Sequence, residues 1–306
     1  MVKKISVIIP NYNGKNLLAE NLPKVIKNCP NCEIIVVDDF SSDDSVKYVK
    51  KNYPQIKIII NGRNLGFAKT ANRGVEESTG ELVALLNSDV SPRNNSVTAV
   101  SSYFNDRDVF AVGLCDLSHE RNRIVKRGRG GAKFNRGFVE HFAISVKKGE
   151  TFWVSGGSGI FDRRKFLELG GFDSIFAPFY WEDIDLSFRA WRKGYKCIFE
   201  PDAQVDHFHE KGAIKKSSSP FFIKVVAYRN QFLFVWKNID NYFLIIQHIL
   251  WLPYHIIRAA LSFDFAFHLG LLWAIARSWR LVFDSRVNEN PSEVSENEIF
   301  NRFNEK

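Results

Sequence analysis

Cysteine and methionine are scarce in this sequence, with four and one among 306 residues. Cys29, Cys32, Cys115 and Cys197 are too few for a disulfide-built scaffold and fit a reducing compartment. Cys29 and Cys32 form a CxxC, but no second pair completes a zinc site and no strand-to-helix turn gives a thioredoxin context. They read as reduced loop thiols. A signal-peptide core is missing too: Lys3 and Lys4 precede only ISVIIP, with no cleavage site, so export is not expected. No clean run of about 20 apolar residues occurs, as a spanning helix would need. Ile245 to Ile257 is interrupted by His248, Pro253 and His255, and Ala259 to Ala276 contains Asp264 and His268. The patterns GxGxxG and the P-loop are missing from every strand–helix turn, which weighs against dinucleotide binding and ATP hydrolysis.

What is present excludes disorder. Apolar residues make up 45% and aromatics 14%, including 27 Phe, so a chain of this length can bury a sizeable core. Its length suggests two compact units, or one large α/β unit with an appendage. Lys and Arg number 42 against 34 Asp and Glu, a net charge of +8. That balance admits three acidic partners: nucleic acid, anionic lipid or a phosphorylated small molecule.

The first hundred residues alternate regularly. Ile5 to Pro10, Glu33 to Asp39, Lys57 to Asn61 and Glu81 to Asn87 are short, β-branched, nearly continuous apolar runs, the pattern of strands buried on both faces. Lys15 to Asn28, Ser42 to Asn52 and Leu65 to Ser78 have helical length, and Ser41, Ser42, Asp43 and Asp44 supply start chemistry for the second. Repeated strand–helix–strand units predict a parallel, doubly wound sheet with ligands outside the carboxyl ends of its strands.

From Leu117 to Gly149 this order gives way to a segment in which Gly128, Gly130, Gly131 and Gly137 sit among Arg121, Arg123, Lys126, Arg127, Arg129, Lys133 and Arg136. It reads as a mobile basic loop, and its RGRGG is the best argument for RNA binding. Helices near Arg163 to Leu169 and Glu182 to Lys193 follow, the second ended by Gly194, then the strand YKCIFEP. Phe221 to Phe283 holds 16 of the 43 aromatic residues. Interfacial membrane helices fit it better than spanning ones, with a helical lid on the core as the competing reading. Asn288 to Lys306 reads as an acidic, flexible tail.

Residues after the strands carry the chemistry. Asp38 and Asp39 can accept hydrogen bonds from a base or ribose, or cap a helix. Tyr12, in Pro10-Asn11-Tyr12-Asn13, can lie against a base. Asn64 and Gly66, with Asn72 further on, form a turn where backbone approaches a ligand and a helix N-terminus attracts phosphate. Asn87-Ser88-Asp89 places a carboxylate where it can hold Mg²⁺ or Mn²⁺ beside a diphosphate. Trp181-Glu182-Asp183-Ile184-Asp185 is the densest acidic cluster. It suits either a dipole-stabilised helix start or a general base beside an aromatic wall. His207 and His209 follow the last strand and can complete a metal shell or meet phosphate.

Taken in order, SVIIPNYNG, IIVVDDFSSDDS, NLGFAKTANRG, LVALLNSDV, GGSGIFDRR, LGGFD and FYWEDIDLSFRAWRKGY resemble the family 2 glycosyltransferases of the GT-A fold. The nearest likeness is to the branch that includes rhamnosyltransferases of cell-surface polysaccharide synthesis. The resemblance covers roughly Lys3 to Gly212, and the aromatic C-terminal helices resemble that branch as well. It implies a Rossmann-like, mostly parallel nucleotide-sugar-binding sheet followed by an α-helical aromatic-rich segment. Pro10, Tyr12 and Asp39 would hold the nucleoside, with Asp38 nearby and Asn64, Gly66, Asn72 and Ser88 completing the donor wall. Asp89 matches the last Asp of a metal-binding DxD motif, whose first Asp is here Asn87. Asp183 matches the catalytic base, with Glu182 beside it, and His207 matches a His that approaches the metal or diphosphate. Gly156, Gly157 and Trp181 would border the acceptor.

The implied organisation is a GT-A domain over 1–215, a membrane-associating helical segment over 216–287 and a tail over 288–306. The implied activity is inverting sugar transfer from a nucleotide-diphosphate sugar to a saccharide or lipid-linked acceptor. A Mg²⁺ or Mn²⁺ ion would serve it, in the cytoplasm at the inner face of the cell membrane, with no nucleic acid partner. The competing readings are a sugar-phosphate nucleotidyltransferase, a nucleic-acid-binding protein using the Gly–Arg segment, and a non-catalytic relative.

Overall fold

The computed structural model describes residues 3–120, 123–208, 218–282 and 292–304. Its sheet begins as the apolar runs require. Strands β1 (Ile5–Asn11), β2 (Glu33–Asp38), β3 (Lys57–Ile60) and β4 (Leu82–Leu86) are parallel, in the spatial order β3-β2-β1-β4. Helices α1 (Lys15–Asn28), α2 (Ser45–Asn52) and α3 (Phe67–Glu76) connect them. Each strand feeds both faces: Ile8 and Val37 meet Ala71 and Val75 of α3 on one side, while Val7, Ile9 and Val36 meet Leu18, Leu22 and Val25 of α1 on the other. Leu18, Leu22 and Val25 recur at helical spacing, so α1 docks one apolar stripe. Gly74 allows α3 to touch the sheet, since a Cβ there would lie 2.4 Å from Ile8 Cγ2. The strand order reverses between β1 and β4, and a crevice opens at such a switch point beyond the carboxyl ends.

The sheet then extends to ten strands. Beyond β4 lie β11 (Ser158–Asp162), antiparallel, then β6 (Val109–Glu120), β12 (Lys196–His207) and β10 (Gly149–Glu150). Strand β5 (Val90–Pro92) pairs with β12 and β7 (Arg123–Arg127) with β6. Short helices α4 (Ser96–Ala99) and α5 (Arg163–Glu168) and the longer α6 (Glu182–Arg192) complete this layer.

Two expectations are corrected here. The supposed mobile basic loop is folded: β7 extends the main sheet, and β8 (Gly130–Asn135) pairs with β9 (Phe138–Ala143) as a separate hairpin. Ala132, Phe138 and Val139 bury their side chains, and Arg123 and Arg127 both pair with Glu120. The glycines and arginines of RGRGG had masked the buried apolar residues that follow them. The acidic tail is not loose throughout either. Its described part contains α10 (Glu296–Phe303), following α7 (Pro220–Asn238), α8 (Tyr242–Leu261) and α9 (Phe265–Val282). Ser295 caps α10 by accepting from the Glu298 amide at 3.3 Å, while Ile299, Phe300 and Phe303 enter the core against Phe152, Phe188 and Trp191.

Phe232 and Phe234 of α7 share that core with Phe138, Phe188 and Trp181, so α7 is packed into the α/β layer. The expected boundaries at 215/216 and 287/288, and His209, lie outside the described residues.

Candidate active site

The carboxyl ends of β1, β2 and β4 lie side by side, and the residues following them face the crevice. Asp38 is buried and turned inward: it accepts from the Asn11 amide at 2.9 Å, the Ser41 backbone N–H at 2.9 Å and the Ser41 hydroxyl at 2.7 Å. These bonds fix the turn after β2. Asp39 ties that strand to the start of α3, accepting from Leu65 N and Gly66 N at 2.8 Å each and from Asn61 at 2.8 Å. Asn64 Oδ1 accepts from Gly66 N at 3.2 Å, and Gly66, with φ +81°, has open space where a Cβ would stand. Tyr12 is 45% exposed at the rim of this wall, beside half-buried Pro10. Asn72 is committed elsewhere than the donor wall. Its amide donates to Phe172 O at 2.8 Å and accepts from Phe172 N at 2.9 Å, anchoring α3 to the Gly170–Asp173 turn.

The turn after β4 has its own supports. The Asn21 side chain of α1 donates to Ser88 O at 3.0 Å, and the Asn87 backbone N–H donates to Gly157 O at 3.0 Å. Asp89 is buried, with Oδ1 3.5 Å from His207 Nε2. The other imidazole nitrogen, Nδ1, lies 2.5 Å from Asp116 Oδ2, and Ser118 holds the second Asp116 oxygen at 3.0 Å. Burial pushes the His207 pKa down, but its bonds to Asp116 and Asp89 outweigh this and lift it to about 9. Asp116 was not anticipated. Its signal was a carboxylate inside the apolar run VGLCDL.

This donor set fits a divalent cation held partly by substrate. One carboxylate and one imidazole face each other, and a second-layer carboxylate fixes the ring, as is common for metal-bound His. Among the described residues no group of three or more His, Cys, Asp and Glu is placed to hold an ion, so further ligands would be diphosphate oxygens or water.

The acidic cluster at the start of α6 divides by environment. Asp185 is fully buried, pairing with Arg189 at 2.7 Å and Lys237 at 2.8 Å, and takes a hydrogen bond from Asn238 at 2.9 Å. Burial alone would raise its pKa, but the two cations hold it well below the ordinary carboxylate range. Asp183 accepts from Ile184 N at 2.8 Å and from Gly156 N at 3.4 Å. Burial raises the pKa of Asp183, and it raises that of Glu182 further, with the Asp183 charge adding to the effect. Gly156 and Gly157 thus join the two halves of the site. One donates to Asp183; the other lies so near Asn87 that a Cβ there would be 2.4 Å from its Nδ2. Trp181, expected beside the acceptor, is instead a core ring only 5% exposed, packed on Phe234 and His141.

The loop leading into Asp183 is clamped from α7. Asn230 donates to the carbonyls of Phe176, Phe179 and Tyr180 at 2.8–3.0 Å, and Arg229 to those of Phe176 and Ala177 at 3.0 and 2.7 Å. Tyr180 and Trp181 adopt φ of +68° and +76°, a strained conformation for such residues. Sequence reasoning missed Arg229 and Asn230; a charged-polar pair inside an otherwise apolar helix was their signal.

Known proteins share this architecture. The model of Glycosyl transferase family 2 matches residues 6–170. N-acetylgalactosaminyltransferase 7 of Drosophila melanogaster is 27% identical over 233 residues, 67% of this chain and 39% of the relative. Pre-mycofactocin glycosyltransferase of Mycobacterium tuberculosis is 26% identical over 214 residues, 68% of this chain and 43% of the relative. The chain therefore spans about two fifths of the length of these curated relatives. GalNAc-T7, solved with UDP, GalNAc and Mn²⁺, superposes with a TM-score of 0.63 at 19% identity, over 79% of this chain and 49% of that one. Mannosyltransferase PcManGT from Pyrobaculum calidifontis, solved with GDP-Man and Mn²⁺, gives 0.54 at 17% identity, over 94% and 88%. With the elements from α1 to α5 and the Asn87–Asp89 turn inside the matched span, which covers more than half of the chain, the chain belongs to glycosyl transferase family 2.

Proposed function

We propose that the protein is an inverting glycosyltransferase that moves a sugar from a nucleotide-diphosphate sugar to a hydroxyl of a saccharide or lipid-linked acceptor in cell-surface glycan synthesis. The observation that carries this reading is the link from Asn87, at the head of the Asn87–Asp89 turn, to Asp183 through the adjacent Gly156 and Gly157. It sets a raised-pKa carboxylate one short backbone step from the turn that would meet the diphosphate.

Asp183 takes the proton from the acceptor hydroxyl, which a base of raised pKa does more effectively than an ordinary Asp near neutral pH. The freed oxygen bonds to the anomeric carbon as that carbon's bond to the diphosphate oxygen breaks, inverting the centre. The nucleoside diphosphate carries away the bonding pair. Asp39, through its bonds to Leu65 and Gly66, holds the wall against which Tyr12 and Pro10 seat the nucleoside. Asp89 and His207 would hold the Mg²⁺ or Mn²⁺ ion, with His207 oriented by Asp116. When bound, such an ion neutralises charge developing on the leaving diphosphate.

The basic Gly–Arg segment behind the nucleic-acid alternative lies in paired strands with arginines matched to Glu120, which favours the transferase reading. The exposed apolar faces of α8 and α9 support work at the cytoplasmic membrane surface.

A thermal-shift panel of nucleotide-diphosphate sugars, with and without Mn²⁺, tests the reading, since a ligand of the folded state raises Tm with its occupancy. One donor class shifting Tm in the presence of Mn²⁺ is expected. No shift with any donor would contradict it.

A further inference from the structure

The side of α8 away from the core is apolar and uncovered. Phe243, Leu250, Ile257 and Leu261 are 78, 72, 59 and 77% exposed, and Phe263, in the turn to α9, is 77% exposed. Patches of this kind mark interaction surfaces. How α8 lies decides what it meets. By length and mean hydropathy alone its 20 residues could cross a bilayer, although His248, Pro253, His255 and Arg258 interrupt the apolar run. Its middle, however, is fixed to the turn between β8 and β9. His248 Nδ1 donates to Gly137 O at 2.6 Å, and His255 Nε2 donates to Arg136 O at 2.8 Å. The Arg136 guanidinium lies 5.4 Å over Trp251 and 5.8 Å over Tyr254. A crossing helix would carry Arg136 and its turn to the bilayer centre, where an arginine is strongly disfavoured and turn backbone finds no partners. The helix therefore lies flat, one side on the hairpin and the other facing outward.

Beside it the structure places a two-part pocket. A polar cavity of about 200 Å³, lined by Gln231, His255, Arg258 and Asp264 among others, shares Arg258 and Ser262 with an apolar cleft of about 410 Å³ along Tyr254, Ile257 and Leu261. Tyr254, Ile257, Arg258 and Leu261 are spaced to share one helix face. The two carboxylates of the polar part are already matched: Asp264 by Lys224 at 2.9 Å, Glu140 by Lys133 at 3.5 Å. Arg258 is exposed and has no ion pair among the described residues, so it is the unbalanced charge of the pocket. A cation at the joint of a polar cavity and an apolar cleft, on a helix lying flat, matches an amphipathic anion at headgroup depth.

We propose that this pocket binds an anionic membrane phospholipid, its phosphate at Arg258 and an acyl chain along Tyr254, Ile257 and Leu261. The proposal rests on the reading of the C-terminal helices as membrane-associating and is independent of the transferase chemistry.

The test is flotation of the full chain with vesicles of phosphatidylcholine alone, or of phosphatidylcholine with a quarter phosphatidylglycerol, each with and without millimolar inorganic phosphate. Wild type should bind the phosphatidylglycerol vesicles more tightly. Arg258→Gln should weaken that binding about fivefold while leaving phosphatidylcholine binding unchanged, and Arg258→Lys should restore most of it. Ile257→Glu, at an exposed position, should weaken binding to both with Tm unchanged. If Arg258→Gln keeps the full preference for phosphatidylglycerol, the phosphate site is overturned while membrane association stands. Competition by inorganic phosphate would assign the pocket to a free anion and overturn the lipid. Binding to neither vesicle would overturn the membrane reading together with the site. A concentration-dependent dimer that Ile257→Glu dissolves, without vesicle binding, would give the face to a second copy and overturn it too.

Discussion

Lys237 and Asp185 lie 2.8 Å apart, almost wholly out of water, and join α7 to the helix that starts at the candidate base. Lys237 also meets Asp173 at 2.8 Å, so the turn before the aromatic loop and the acidic cluster after it hold the same cation. Removing one partner from such a group leaves buried charge uncompensated. Lys237→Met should lower stability by about 3–5 kcal/mol in denaturant titration. Acid should show the same network. The Asp185 pKa is depressed in the folded state, so its contribution is complete above about pH 4 and is lost as pH falls below that value. Between pH 4 and 2, wild type should lose stability more steeply than Asp185→Asn; parallel curves would contradict the assignment.

Asn230 holds three carbonyls of the loop before Asp183, those of Phe176, Phe179 and Tyr180, so its loss frees groups that burial keeps from water. Asn230→Ala should cost about 1–3 kcal/mol and speed amide exchange over 176–183 while leaving β1 and β2 unchanged. Equal exchange across 176–183 would show that the clamp does not hold the loop.

The Asp116 contact fixes which His207 nitrogen faces Asp89. With Asp116→Asn, Mn²⁺ affinity measured calorimetrically in the presence of UDP or GDP should fall about 10- to 100-fold. Unchanged affinity would remove Asp116 from the metal account.

Phe303 packs edge-on to Phe152 and Trp191 and is 3% exposed. Phe303→Ala should destabilise by about 3–5 kcal/mol, as for a core aromatic. A change within about 0.5 kcal/mol would show that α10 is dispensable, as for an ordinary surface position.

The parallel half of the sheet was legible because β1, β2 and β4 are buried on both faces and their sequences are uniformly apolar. The crevice followed from strand order, and Asp39, Asp89 and Asp183 stand at its edge because strand and helix ends are fixed by the same runs. The β7 to β9 region was hidden because the Arg and Gly residues at 127–131 and 136–137 flank the buried Ala132, Phe138 and Val139. Helix α10 was hidden by its acidic residues, although Ser295 and Glu298 have capping-box spacing and Ile299, Phe300 and Phe303 lie on one side. Within Glu182-Asp183-Ile184-Asp185, spacing could not separate the carboxylates. Only Lys237 and Gly156, brought in from elsewhere, with Arg189 one turn along the same helix, distinguish an interior ion pair from a candidate base. Trp181 and Asn72 differ from expectation for a similar reason: rings and amides suited to a ligand serve equally well to bind a loop to its support.

The central claim is that Asp183 removes the acceptor proton. Ionised, a half-buried carboxylate of raised pKa costs stability above its unfolded pKa, so a neutral amide should relieve that cost near pH 7. Asp183→Asn should therefore keep nucleotide-sugar binding, show an equal or higher Tm at pH 7, and lose about 10²–10⁴-fold in transfer rate. The decisive measurement is the single-turnover transfer rate of Asp183→Asn beside wild type at matched donor occupancy. A loss of that size with binding intact is the predicted result, and a rate equal to wild type would contradict the account.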